Sequence, residues 1–274
     1  MRIRIAHETR YRYERPARSI LQHLRLTPRG HDGQHVISWR IEPSAEGHLK
    51  PDEDGLGNVV HAFSADEAVG ELVLRVTGEV ETSDAAGMLS GAVERVPPAY
   101  FLRPTALTHA DDEIRAMAEG VGRASDGALA RLHGLLVAVN EGVSFEVSST
   151  TSGTTAAQAF AQRRGVCQDL THIFLAASRH LDIPARYVSG YFCRADGVVD
   201  QEAGHAWVEA HVPELGWIGF DPANGISTTD AHVRVAIGLD YHGAAPVRGS
   251  RRGGGSEALD VHITVQQAGR QSQS

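Results

Sequence analysis

The spacing of apolar positions changes twice along the chain. Over roughly the first 85 residues, short runs rich in Val, Ile and His (residues 2–6, 34–42, 58–63 and 71–81) are separated by the turn clusters PRGHDG, DEDGLGN and SADEAVG. In VISWRIEP, Ile37, Trp39 and Ile41 alternate with Val36, Ser38, Arg40 and Glu42, the period of a half-buried strand. A small antiparallel β domain is therefore expected over residues 1–85. Residues 86–107 carry Gly, Pro97-Pro98 and little periodicity, and read as a linker.

The period then lengthens. Residues 108–123 carry Asp111, Asp112 and Glu113, suited to a first helical turn, and residues 126–141 place Leu129, Leu132, Leu136 and Val139 at helical spacing. Thr154 and Thr155 can cap a third helix through Arg164, which Gly165 ends, and a fourth is expected over residues 166–182. On that fourth helix Val166, Leu170, Ile173, Phe174, Ala177 and Leu181 form one stripe, with Cys167 in the first turn. After Pro184 the period returns to two, and residues 186–192, 205–212 and 216–221 read as consecutive strands. Helices followed by strands, rather than alternating with them, define an α+β core over residues 108–266. Within it the Gly- and Arg-rich residues 248–255 read as a mobile loop and 259–266 as a last strand; 267–274 are expected to be a disordered tail.

Composition narrows the function classes. With 274 residues, 42% hydrophobic and 22% charged, the chain can bury a real core without staples. A formal charge of -8 argues against a phosphate-backbone binder, so nucleic acid is not an expected partner. Two cysteines, Cys167 and Cys193, exclude a secreted-type disulfide framework and are expected to be free thiols. The opening MRIRIAHETRYRYERP lacks the apolar stretch of a signal peptide, and no run of about 18 apolar residues occurs. A cytoplasmic address with no membrane association is expected.

Three residues carry candidate chemistry. A thiol at a helix tip, as Cys167 is placed, feels the positive end of the helix dipole and unpaired amide hydrogens, which favour thiolate, while Asp169 pushes the other way. His205 opens the strand GHAWVEAHV, sharing a face with Trp207, Glu209 and His211 on which a cleft is expected; Asp221 ends the strand LGWIGFD. A thiol, an imidazole and a carboxylate that fixes the imidazole's tautomer are what acyl transfer requires. Their meeting imposes a register: Asp221 shares a face with His205 only if paired residue numbers sum to an even value, as when Trp207 faces Asp221. An odd-length turn or a bulge is therefore expected near residues 213–216. Cys193 is read as a small buried hydrophobe. Fifteen histidines occur without tight ligand spacing, and His205, Glu209 and His211 lie on a strand rather than on the helix that HExxH sites use, so neither a metal nor a cofactor is expected.

The runs RRGVCQDLTHIFLAASRHLDIPARYVSGYF, GHAWVEAHVPELGWIGFDPANG and VAIGLDYHGAAPVRG resemble the bacterial transglutaminase-like family, relatives of transglutaminases with a papain-like core. YRYERPARSILQHLRLTPR, GQHV and DGLGN resemble the β-rich domain that precedes this core in the same family. The resemblance implies an antiparallel amino-terminal β domain followed by a papain-like core whose cysteine helix packs on an antiparallel sheet. It implies Cys167 as nucleophile, His205 as base and acid and Asp221 as orienting carboxylate. Gln168, Asp169 and His172, which follow the cysteine, are candidate substrate-binding residues together with Trp207. Leu239 stands where relatives commonly carry Arg, and Ala223 where Thr is common. The expected activity is thiol-dependent acyl transfer on a peptide or glutamine-type amide, foremost hydrolysis by a cysteine peptidase or amidase. Transamidation and a non-catalytic peptide-binding module are the alternatives. The expected partner is a peptide or protein substrate, and the oligomeric state is left open.

Overall fold

A computed structural model describes residues 1–269. Its first strand, β1 (Arg2–Thr27), is far longer than the sequence pattern suggested. The alternation continues past Ala6 with His7, Thr9, Tyr11 and Tyr13 turned inward, and polar or hydroxyl-bearing side chains at buried positions hide it from a hydropathy reading. The first half of β1 pairs with β5 (Val69–Thr82) and with the last strand Glu257–Gln267. Its second half pairs with β4 (Val59–Ala65) and with Val247–Gly253. β2 (Gln34–Pro43) joins β5, and β3 (Gly47–Glu53) joins β4. β3, polar and containing Pro51, went unread because a strand at the sheet margin needs neither an apolar run nor every amide hydrogen. A bulge between Val36 and Ser38 leaves Ile37 exposed, out of step with the half-buried Trp39 and Ile41.

Three sequence expectations need correction here. Residues 248–255, expected as a mobile loop, largely form the strand Val247–Gly253, since β1 offers them a ladder that no local pattern announces. Both late strands therefore belong to the amino-terminal sheet, although the sequence grouped residues up to 266 with the core. Residues 86–107, expected as a linker, cover a sheet face: Phe101 is fully buried against Val188, Trp207, Trp217 and Ile237. Of the expected tail, Gln267 closes the last strand and residues 270–274 lie outside the described ones.

The helices follow the sequence reading closely: α1 (Asp112–Ala124), α2 (Ala128–Gly142), α3 (Ala156–Gln162) and α4 (Cys167–His180). Asp111 caps α1, and Thr155 forms a capping box with Gln158 on α3, which ends two residues early because Arg163 adopts a left-handed conformation. The second sheet is antiparallel, in the spatial order Ile226–Ser227, Gly216–Asp221, His205–Val212, Ala185–Phe192, His232–Gly238. From one face Ala206, Val208 and Ala210 meet Leu170, Ile173, Phe174 and Ala177 of α4. Small side chains on the strand let the helix approach, and a fully buried aliphatic side chain contributes about 1.5–3 kcal/mol. The same cluster runs into the first sheet through Ile3, Ile5, Val80, Ile263 and Val265. There His7 hydrogen-bonds the Tyr191 hydroxyl and Thr9, both at 2.9 Å.

Candidate active site

The N-terminus of α4 and the ends of two strands converge. Cys167 is the first residue of α4, so its amide hydrogen has no intrahelical acceptor. Its half-buried thiol lies 3.9 Å from the carbonyl oxygen of Gly204, the residue before His205. Asp169, two residues on, turns back: its Oδ2 accepts the Val166 amide hydrogen at 2.8 Å and the Thr150 hydroxyl at 2.6 Å. Burial holds its carboxyl above the ordinary range, opposed by those same hydrogen bonds. Gly165 is required beneath this hook, because a Cβ there would stand 2.7 Å from the Asp169 Cβ.

The strand register brings His205 and Asp221 together as the parity argument required. Val208 pairs with Phe220 and Val212 with Gly216, leaving the three-residue turn Pro213, Glu214, Leu215 with Glu214 at φ 68 and Gly216 at φ 84. His205 Nε2 lies 2.6 Å from Asp221 Oδ2, and the Phe192 ring packs 5.2 Å from the imidazole. With Nε2 committed to the carboxylate, Nδ1 is the ring nitrogen left for the sulfur. Burial works against a charged His205, but the charge and hydrogen bond of Asp221, joined by Cys167, outweigh it and push the ring up to about 10. Asp221 is fully buried. Burial opposes its charge, yet His205 and the hydrogen bond from His232 hold its carboxyl well below the ordinary range. Its other oxygen accepts the amide hydrogens of Ala223 and Asn224 at 3.1 and 3.2 Å.

Gln168, next to Cys167 in the chain, is half-buried, whereas Asp169, His172 and Trp207 are buried. Asp169 secures the helix tip. His172 Nε2 accepts the Tyr241 amide hydrogen at 3.1 Å, and burial pushes its ring down to about 3, so it stays neutral. Trp207 packs in the cluster with Phe101 and Trp217, because residues 86–107 occupy the sheet face where the sequence reading placed a cleft. Glu209 on that face is clasped by Arg186 and Arg234, each at 2.7 Å. The residue that sequence reasoning missed is His232, buried with Nε2 3.1 Å from Asp221 Oδ2. No local pattern marks it, since the pairing of its strand with Ala185–Phe192 decides its position. Donor atoms of His205, Asp221 and His232 lie within 4.8 Å of one another, but they are engaged in hydrogen bonds with each other.

An antiparallel β domain followed by an α+β core, with a thiol at a helix tip facing a strand-borne imidazole and carboxylate, defines a transglutaminase-like protein of the thiol acyl-transfer class. The chain belongs to the transglutaminase-like superfamily: residues 3–81 match the bacterial transglutaminase-like N-terminal region and residues 115–222 the superfamily's core. An uncharacterised Mycobacterium leprae protein is 31% identical over 96% of this chain and 98% of its own length. A Mycobacterium bovis protein, likewise uncharacterised, is 26% identical over 90% of this chain and 87% of its own. The crystal structure of a provisionally assigned cysteine protease from Cytophaga hutchinsonii shares the fold at a TM-score of 0.78, with 20% identity over 98% of this chain and 91% of that one. Among the described residues no helix is long and apolar enough to cross a membrane.

Proposed function

We propose that the protein is a cysteine peptidase or amidase that works through an acyl-enzyme on Cys167. The 2.6 Å contact between His205 Nε2 and Asp221 carries this reading, because it orients Nδ1 toward the sulfur and supports the positive ring that a thiolate needs beside it. Cys167 Sγ attacks the carbonyl carbon of a peptide or side-chain amide, and the Cys167 amide hydrogen stabilises the oxygen that becomes negative. His205 gives its proton to the departing amine as the C–N bond breaks, leaving a thioester. The neutral ring then takes a proton from water, whose oxygen attacks the thioester and releases the acid and the thiol. Asp221 stays ionised and holds the ring. Gln168, half-buried and adjacent to Cys167 in the chain, is the proposed contact for the acyl group.

Hydrolysis is favoured over transfer to a second amine because Cys167 is half-buried rather than sealed, so water can reach a thioester formed there. The cytoplasm is the proposed location, supported by two free thiols. The test is to incubate the full chain with a peptide library, quench with acid and search by mass spectrometry for an acyl group on Cys167. Trapping that disappears in Cys167→Ala is expected, with free acid as the product. An amide product formed with an added primary amine would make the protein a transamidase, and no adduct with any peptide would leave a binding module.

A further inference from the structure

The acyl-transfer steps use one histidine, yet Asp221 is served by two. His232 opens its strand with 6% exposure, walled by Phe192 at 4.7 Å and Trp207 at 5.2 Å between ring centroids. Its Nδ1 lies 3.1 Å from the Thr229 amide nitrogen and accepts that hydrogen. A ring nitrogen that accepts an amide hydrogen carries no proton, so the neutral ring holds its hydrogen on Nε2 and donates it to Asp221 Oδ2. The same oxygen takes His205 Nε2 and the Asn224 side-chain amide, both at 2.6 Å.

We infer that His232 is a positioning residue, a second histidine that keeps the buried carboxylate charged and aimed at His205 without itself exchanging protons with substrate. This rests on the acyl-transfer reading and adds a residue to it. The physical need arises within the cycle. Once His205 passes its Nδ1 proton on, Asp221 faces a neutral ring, and the fully buried carboxylate loses the positive charge beside it and depends on its remaining hydrogen-bond donors to stay ionised and in place. With the Asn224 side-chain amide, His232 is a donor that does not change, because Thr229 fixes its tautomer. Groups facing the pair are His205 from its strand and Cys167 from α4. Across a cavity of about 60 Å³ beside His232 stand His31, Glu209 and Arg234. Glu209 and Arg234 pair with each other, and burial pushes His31 down to about 4, so none of these supplies a free charge to replace the donor.

The test uses the full chain and two variants, His232→Phe and His232→Gln, with iodoacetamide alkylation of Cys167 followed from acid to alkaline pH and kcat and KM measured on any peptide found by trapping. Loss of the donor in His232→Phe is expected to move the acid-side fall of the alkylation rate upward by about one pH unit, a tenfold loss just below it. The alkaline side and KM should stay in place. His232→Gln, which can donate to Asp221 and accept from Thr229, should restore the wild-type profile. A second readout on wild-type protein guards against a variant that does not fold: nitrogen-15 histidine NMR should show the neutral His232 ring with its hydrogen on Nε2 and none on Nδ1. A folded His232→Phe with the wild-type acid limb, or a neutral His232 ring with its hydrogen on Nδ1, overturns the inference. If His205→Ala slows alkylation while His232→Phe leaves the acid limb unmoved, the inference falls and the acyl-transfer reading stands. Alkylation indifferent to both substitutions removes the reading itself.

Discussion

Asp169 Oδ2 accepts the amide hydrogen of Val166 at 2.8 Å, so the residue before the thiol is tied to the one two places after it. Helix tip and sulfur are thereby fixed as one unit. Asp169→Ala removes the hook and leaves the Val166 amide without its acceptor, and is expected to lower stability by about 1–2 kcal/mol in urea unfolding. A change close to zero would mean that the tip is held by α4 packing alone.

Cysteine reactivity separates the two thiols. Burial pushes the Cys193 thiol up, whereas Cys167 stands beside an imidazole that keeps its positive charge through neutrality. Iodoacetamide near pH 6 should therefore label Cys167 far faster than Cys193, read by peptide mass spectrometry. In His205→Ala the Cys167 rate should fall roughly tenfold for each unit by which the thiol's pKa rises. Equal slow labelling of both thiols is the outcome that contradicts the thiolate–imidazolium pair.

Stability should decline on the alkaline side. His205 titrates at about 10 in the folded protein against 6.5 for an unperturbed ring, so its contribution is complete below 6.5 and is lost as pH rises toward 10. Asp221 works in the opposite sense: its carboxyl is held below 3.8, so its contribution is present above that value and is lost only in strong acid. The Tm is expected to fall between pH about 7 and 10, and more shallowly in His205→Gln. Parallel curves for the two proteins would refute the assignment of this slope to His205.

Arg179 ties the carboxyl end of α4 to the segment that covers the sheet. Its Nε donates to the Phe101 carbonyl at 2.9 Å, and its other nitrogens reach the carbonyls of Ala185 and Leu239 and the Thr108 hydroxyl. Burial pushes the guanidinium down to about 10 against the opposing charge of Asp240, and among the described residues no carboxylate pairs with it directly, so backbone carbonyls solvate the charge. Arg179→Met strips those carbonyls of a donor and should cost about 2–5 kcal/mol in chemical denaturation. A loss below about 1 kcal/mol would indicate that water takes over the carbonyls.

Much of the fold was legible because it is local. Periods of 3.6 and two located α1 to α4 and the strands around His205 and Asp221, and Thr155 announced its cap, whereas Asp111, read as a first-turn residue, caps a helix that starts after it. Parity alone required the odd turn before Gly216, since a shift of one residue would have turned Asp221 away from His205. The long β1 and the strand Val247–Gly253 were illegible because ladder partners lie far off in sequence, and β3 because a polar strand at the sheet margin carries no apolar alternation.

The sequence by itself determined which residue types stand at the helix tip and strand ends, because capping, periodicity and register act over a few neighbours. Only the tertiary structure decided what covers the sheet, burying Trp207 under residues 86–107 and clasping Glu209 between two arginines. It also brought His232 to Asp221 across 11 residues. A ring's place beside a carboxylate depends on the pairing of separate strands, and that pairing is set by the energy of the assembled core rather than by the letters around the ring.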